Sequence, residues 1–362
     1  MAEVLLIEDF LERLNAGNTL LLDVRSESEF YYGRIPGAVN LPLLNDEERK
    51  EVGITYKKQG HNEAVEKGFE LVGGKFVDFI REVKALLSSL PSAFRPLSSD
   101  NQPETVFIYC WRGGMRSSIM SWVLETTGIK TALLQGGYKS YRNWALQQFE
   151  VERPLIVLGG KTGSGKTFLL NELAKRGEQV LDFEALANHR GSAFGAIGMG
   201  PQPRQEHFEN LIAYHLSKTN PDVALWVENE SRKVGSLQIP NPLFDRMVNS
   251  PLMEVVIPDE ERVQRISDEY GKFPLEDLRA NTIKLERSLG GARLKEALQL
   301  LDKNNLEEWI KMMLSYYDKT YHYGLSLRNP ELNFPVEVSY SNINPSLEKI
   351  IQQKNYFKEI SI

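Results

Sequence analysis

The chain has 362 residues, of which 41% are hydrophobic and 25% charged, with a formal net charge of −6 and a single cysteine. That is the composition of a globular protein long enough for two cores, and it excludes an internal disulfide and RNA binding by bulk positive charge. No apolar run approaches a membrane span and the start carries no secretory pattern, so the reducing cytoplasm is the expected compartment for a free thiol.

Residues 20–24 form a short apolar run ending in a polar turn, the pattern of a buried parallel strand, and residues 105–109 repeat it. Between them, residues 64–87 carry apolar side chains at helical spacing. Residues 88–103, rich in serine and proline, read as an exposed loop. The second strand delivers Cys110 into the segment Cys110-Trp111-Arg112-Gly113-Gly114-Met115-Arg116-Ser117. A thiolate needs positive charge or converging N–H groups, and two glycines and two arginines ahead of a helix can supply both. That makes Cys110 a candidate nucleophile rather than a small core hydrophobe. A helix is predicted over residues 117–127, its N-terminus facing Cys110, then a strand over residues 129–134 closed by Gly136-Gly137. Lys139 and Arg142, interleaved with Tyr141 and Trp144, are candidate RNA contacts.

The second half opens with a strand at residues 155–158 and then a G-x-x-x-x-G-K-T pattern from Gly160 through Lys161, Thr162, Gly163, Ser164, Gly165 and Lys166 to Thr167, leading into a helix over residues 168–175. Glycines let backbone N–H groups turn around phosphate oxygens, Lys166 adds a point charge, and the Thr167 hydroxyl is placed to reach a magnesium ion, a requirement the sequence leaves open. Magnesium in a nucleotide hydrolase is usually organised by an aspartate at the end of a second strand. Here residues 223–227 end instead in Glu228-Asn229-Glu230, which weakens an ATPase reading. Asp182, after a further short strand, and the loop pair His189 and Arg190 are candidate substrate or anion contacts. Past residue 258 the chain reads as helical. Its arginines, among them Arg262, Arg265 and Arg279, and the tyrosine-rich segment at residues 316–323 are weaker candidates for RNA binding.

Several of these segments together resemble a known family. Asp23-Val24-Arg25, Glu29-Phe30, Gly33-Arg34-Ile35-Pro36-Gly37-Ala38, the cysteine loop and Gly136-Gly137 resemble the rhodanese family over residues 1–145, with Arg34 where histidine is usual and a Cys110-to-Arg116 loop one residue longer than in common sulfurtransferases. The resemblance implies that the cysteine carries sulfur or selenium. A rhodanese module fused to a P-loop module, with Gly136-Gly137-Tyr138-Lys139, His189-Arg190-Gly191-Ser192 and Trp226-Val227-Glu228-Asn229-Glu230 besides, resembles the tRNA 2-selenouridine synthases. This implies an α/β fold with a rhodanese-like parallel-sheet domain at 1–145, a P-loop NTPase-like domain at 146–258, and a mostly helical region at 259–362 that partly continues it. It also implies tRNA as partner, a selenophosphate-producing enzyme as supplier, geranyl diphosphate and selenophosphate as co-substrates, and no tightly bound cofactor. Cys110 would then serve selenium transfer, and the P-loop would grip the diphosphate. A rhodanese-fold phosphatase or sulfurtransferase fused to an ATP-dependent kinase is the alternative. The residues leave the geranyl pocket open, with Phe168, Phe183 and Phe194 as candidates, along with the oligomeric state and the choice of tRNA.

Overall fold

A computed structural model describes residues 2–17, 19–89 and 105–359, and divides them into two compact units. The first unit comprises Met1–Gln147 with Arg204–Tyr214. In chain order it contains β1 (Glu3–Leu5), α1 (Ile7–Asn15), β2 (Leu20–Asp23), α2 (Glu27–Tyr32), β3 (Val39–Asn40), α3 (Asp46–Gln59), α4 (His61–Val72), α5 (Phe76–Ser89), β4 (Val106–Tyr109), α6 (Met115–Glu125), β5 (Thr131–Leu134) and α7 (Gly137–Gln147). The strands pair in the order β1-β5-β4-β2-β3, all parallel. Strands flanked by helices on both faces must be apolar throughout, and β2, β4 and β5 are buried along their whole length. Leu22 pairs with Ile108 and Asp23 with Tyr109, so β4 lies in the middle of the sheet and delivers Cys110 at its carboxyl edge. That edge is where open parallel sheets bind ligands.

The helix predicted over 64–87 is two helices, α4 and α5, separated by a short turn at Gly73–Lys75, where consecutive glycines weaken the helical run. The helix α3 ahead of them is held by a reciprocal cap, in which Asn45 Oδ1 accepts from the Glu48 N–H and Glu48 Oε2 accepts from the Asn45 N–H, both at 2.9 Å. Of the stretch read as a loop, Ser88 and Ser89 end α5 and the remainder lies outside the described residues.

The second unit comprises Gln148–Pro203 with His215–Ile362. Continuing along the chain come β6 (Leu155–Gly160), α8 (Lys166–Lys175), β7 (Gln179–Leu181), α9 (Phe183–Ala187), α10 (Gln205–Ser217), β8 (Leu225–Glu228), β9 (Lys233–Val234), β10 (Leu237–Gln238), α11 (Asn241–Val248), β11 (Leu252–Val256), α12 (Asp259–Tyr270), α13 (Leu275–Lys284), α14 (Glu286–Leu289), α15 (Gly291–Asp302), α16 (Leu306–Ser326), β12 (Asn333–Glu337) and α17 (Ile343–Glu359). Most of α10 groups with the first unit, an excursion that a single boundary near residue 145 does not contain. The five strands of the main sheet run parallel in the order β12-β11-β6-β8-β7. Leu158, Leu169, Leu173, Trp226 and Met253 fill the core of this sheet, and a separate cluster around Phe194, Leu278, Trp309 and Met313 joins α12 to α16. Residues 259–362 therefore belong to the same unit as the P-loop, supplying both its edge strand β12 and its helical cluster.

Candidate functional site

Cys110 is buried, with 3% of its surface exposed, and three groups meet its sulfur, one of them the Gly114 carbonyl, which accepts from the thiol at 3.8 Å. The Gly114 N–H, at the start of α6, donates to Sγ at 3.3 Å, and the buried Ser117 hydroxyl lies 3.3 Å away. The loop reaches this shape because its backbone is stitched to α7: Tyr138 N–H donates to the Cys110 carbonyl at 2.8 Å and Lys139 N–H to the Trp111 carbonyl at 3.0 Å. Gly113 has φ +64°, and a Cβ there would sit 2.6 Å from the Leu134 carbonyl oxygen, so glycine is required. Beneath the loop, fully buried Arg25 pairs with Asp23 at 2.6 Å, donates to the Gly33 carbonyl at 2.6 Å and lies 3.9 Å from the Tyr138 ring centre. Its guanidinium is thus fully engaged.

The two arginines of the loop do not surround the sulfur as its sequence suggests. Arg112 is exposed, and Arg116 is tied to Glu29 at 2.6 Å, beside Arg49 on the same carboxylate at 2.9 Å. Those two guanidiniums hold the Glu29 carboxyl below its ordinary range against the opposing effect of burial. Trp111 is half-exposed, with its ring 5.7 Å from that of Tyr138, and Met115 is exposed. Of the candidate RNA contacts on α7, Lys139 is exposed, whereas Arg142 is consumed by an ion pair with Glu209 and a 3.0 Å bond to Asn210. The partners of Arg142 lie on α10, far along the chain, which is why the local pattern misleads.

In the second unit the loop from Gly160 to Lys166 has the shape its glycines allow: φ is +141° at Gly160, +79° at Gly163 and +81° at Gly165. Lys161 approaches Asp318 at 3.6 Å. Arg262, buried on α12, donates to the Thr162 carbonyl at 3.0 Å and pairs with Asp318 at 2.5 Å, and the Tyr340 hydroxyl donates to the Ser164 carbonyl at 2.5 Å. The Ser164 hydroxyl is itself buried with no hydrogen-bond partner among the described residues. Arg262 therefore braces the loop instead of offering an RNA contact. Arg265 stacks on Tyr340 at 3.9 Å and Arg279 pairs with Asp302 at 2.5 Å, so these too are engaged.

Lys166 bridges to the Gly160 carbonyl at 3.2 Å and to Glu228 at 3.5 Å, and the Thr167 hydroxyl lies 3.3 Å from Glu184 and 3.4 Å from Glu228. Carboxylate oxygens of Glu184, Glu228 and Glu230 all fall within 4.8 Å of one another. Desolvation by burial raises all three carboxyls: Glu184 to about 9 and Glu230 to about 8, each pushed further by the Glu228 charge, and Glu228 upward with help from Asp182 and despite Lys166. Three carboxylates and a hydroxyl form a hard oxygen set of the kind that magnesium takes, and the like charges crowded there favour a cation or protons. Glu184 had no motif to mark it. Asp182, the expected carboxylate, instead caps α9 by accepting from the Ala185 N–H at 2.9 Å, and contributes only its charge to the cluster.

His189 is buried, its Nδ1 accepts from the Gly191 N–H at 3.1 Å, and burial lowers its pKa, which favours the neutral ring. Arg190 pairs with Glu269 at 3.2 Å and donates to the Ile197 carbonyl at 2.9 Å. Both are structural parts of the loop beside the carboxylates, not open anion contacts. Phe183 and Phe194 are core residues and Phe168 is partly exposed against Tyr340, so the three share no apolar groove. Tyr317 packs against the Phe194 cluster and accepts from the Ala193 N–H at 3.3 Å, whereas Tyr323 is exposed.

Residues 6–143 match the rhodanese-like domain family, and residues 153–344 match the family described as the tRNA 2-selenouridine synthase AAA domain. The tRNA 2-selenouridine synthase of Sulfurovum sp. (strain NBC37-1) is 39% identical over 341 residues, 85% of this chain and 89% of that protein. The chain belongs to the tRNA 2-selenouridine synthase family. The member from Bdellovibrio bacteriovorus is 38% identical over 372 residues, covering 90% of this chain and 94% of its own. That from Nitrosomonas europaea is 40% identical over 276 residues, 72% of this chain and 66% of its own. Membership in this synthase family accounts for the two-module order, the cysteine loop and the P-loop together. Among the described residues, no helix is long and apolar enough to cross a membrane.

Proposed function

We propose that this chain converts 2-thiouridine at the wobble position of tRNA into 2-selenouridine in two steps, through an S-geranyl intermediate, using geranyl diphosphate and then selenophosphate supplied by a partner enzyme. The observation that carries the reading is the presence in one chain of a thiol cradle at Cys110 and a P-loop at Gly160–Thr167, in a protein similar over most of its length to named synthases. In the first step the thiocarbonyl sulfur attacks the prenyl C1, the C–O bond breaks, diphosphate leaves with the bonding pair and the N3 proton is released. Negative charge grows on the leaving diphosphate, and Lys166 with the inward N–H groups of the loop stabilises it. Glu184, Glu228, Glu230 and Thr167 would hold a divalent cation, which when bound supplies further charge for the diphosphate.

Alkylation matters because a thiocarbonyl sulfur leaves poorly, whereas an S-alkyl group departs as a thiolate. In the second step S-alkylated uridine, selenophosphate and water give selenouridine, the prenyl thiol and phosphate. Cys110 handles the selenium donor, its sulfur held by the Gly114 N–H and the Ser117 hydroxyl. Mass spectrometry of nucleosides tests both halves, on 2-thiouridine tRNA given first geranyl diphosphate and then selenophosphate. S-geranyl-thiouridine and then selenouridine are expected. Lys166→Ala should slow geranyl transfer by about 10²-fold or more while sparing selenium insertion on pre-alkylated RNA, and Cys110→Ala should do the reverse. Absence of both nucleosides, with ATP consumed or a phosphoester cleaved, would transfer the assignment to the phosphatase–kinase alternative.

A further inference from the structure

Beside the cysteine loop the first unit contains a cavity of about 580 Å³ that neither step described so far has used. It is closed on two sides by α3 and α4 and on a third by α6, through Met115, Arg116 and Ile119. Met115 directly follows Gly114, whose N–H meets the Cys110 sulfur, so the cavity begins one residue beyond the thiol cradle. Its size is that of a small-ligand site, roughly 300–1,000 Å³.

The lining is apolar. Leu44, Val52, Ala64, Val65 and Ile119 form the walls, and at the opening Ile54, Tyr56, Phe69 and Met115 each have more than two fifths of their surface exposed. The helix α3 runs for fourteen residues and fully buries none of them: Val52 packs onto the core beside the cavity and Tyr56 meets the His61 ring, while Ile54 and Tyr56 keep much of their surface open. Large apolar side chains left open in a concave setting mark a binding surface. The rim has the opposite character: Arg49, Lys50, Lys57 and Arg116 stand around it, and Arg49 and Arg116 share the single carboxylate of Glu29. A site with hydrocarbon walls and a net cationic rim suits a hydrocarbon chain attached to an anionic body.

We infer that this cavity is the seat of the S-prenyl chain of the alkylated tRNA, with phosphates of the RNA backbone on the Arg49, Lys50 and Lys57 rim. The inference rests on the two-step reading above. It places the alkyl group in a fixed pocket immediately beyond the cysteine loop, so that the uridine C2 is held at Cys110 when the prenyl thiol is to leave.

The test is equilibrium binding of two anticodon stem-loops, one with S-geranyl-2-thiouridine and one with S-methyl-2-thiouridine, to the full chain. The two differ only in the S-alkyl group. Wild type should prefer the geranyl RNA by tenfold or more. Gly53→Leu fills the cavity from α3; a Cβ at Gly53 meets nothing within 4 Å and leucine is a better helix former than glycine, so the fold is retained. This variant should bring the two affinities within about threefold of each other. Phe69→Ser, at an exposed position of α4, should also reduce the preference, and Lys57→Glu should weaken both RNAs alike. Equal affinities in the wild type, or a geranyl preference unchanged in both Gly53→Leu and Phe69→Ser, would overturn the assignment. If the wild type forms no S-geranyl nucleoside from geranyl diphosphate, the two-step reading fails, whereas the chain-length preference still decides the pocket.

Discussion

At the scale of single residues, the Cys110 thiol is served by hydrogen bonds more than by neighbouring charge. Arg116 is held by Glu29, and the groups at the sulfur are one N–H, one hydroxyl and, at 3.8 Å, the Gly114 carbonyl. The Ser117 hydroxyl has one proton and two neighbours, the Gly114 carbonyl at 2.9 Å and the sulfur at 3.3 Å. With a neutral thiol the proton can remain on the carbonyl, and with a thiolate it turns to sulfur, where the bond is charge-assisted. Ser117→Ala removes that response from a fully buried position. Loss of a hydrogen bond to a charged group costs about 1.5–3 kcal/mol, so selenium insertion in a single turnover on pre-alkylated RNA should slow by roughly 10- to 100-fold. Geranyl transfer at the P-loop should be unaffected. A selenium rate equal to that of the wild type would show that the Gly114 N–H alone suffices.

At the scale of elements, the cysteine loop depends on its contact with the start of α7. Gly137 has φ +59°, and a Cβ there would overlap the Cys110 carbonyl oxygen and the Gly113 nitrogen and come within 2.9 Å of the Arg112 carbonyl carbon. The obstruction is backbone, which cannot rotate aside. Gly137→Ala should cost about 2–4 kcal/mol through strain and displacement of the loop, seen as a lower urea midpoint, and Cys110 should react faster with iodoacetamide as its cradle opens. An unchanged midpoint would mean that the loop yields freely. The Gly136-Gly137 pair was legible in the sequence as the turn that closes β5, though not the contact with the cysteine loop that demands Gly137; β2, β4, the strand–loop–helix of the P-loop and the position of Cys110 were legible because their patterns are local. What was not legible depends on contacts between distant segments. Glu184 joins Glu228 and Glu230 only because β7 pairs with β8, Arg262 reaches Thr162 across 100 residues, and Arg142 is neutralised by the part of α10 that groups with the first unit. The cation among aromatics that made Arg142 look like an RNA contact, and the helical spacing of arginines that did so for Arg262, are the same whether the partner is a phosphate or a carboxylate brought in by topology.

At the scale of the whole molecule, the carboxylates of the P-loop unit tie its stability to pH and to cations. The carboxyls of Glu184 and Glu230 are raised to about 9 and about 8 by burial and then by the neighbouring Glu228 charge. In the unfolded chain they titrate near the ordinary glutamate value of roughly 4.3. Between those limits the folded state binds more protons than the unfolded state, so stability is greatest at the acidic end of the window and is lost as pH rises toward about 9. A divalent cation reverses the sign of the problem: it takes the place of the protons and binds most tightly once they have left. Thermal melts of the full chain should therefore show a lower midpoint at about pH 9 than at about pH 6 without magnesium, and magnesium should raise the midpoint more at about pH 9 than at about pH 6. Glu230→Gln removes one of the repelling charges at a buried position and should flatten the pH dependence while weakening the response to magnesium. If magnesium raised the midpoint equally at both pH values, the cation would be binding away from Glu184, Glu228 and Glu230. If it raised neither, the cluster would be held by protons alone, and the diphosphate's leaving charge would rest on Lys166 and the loop N–H groups.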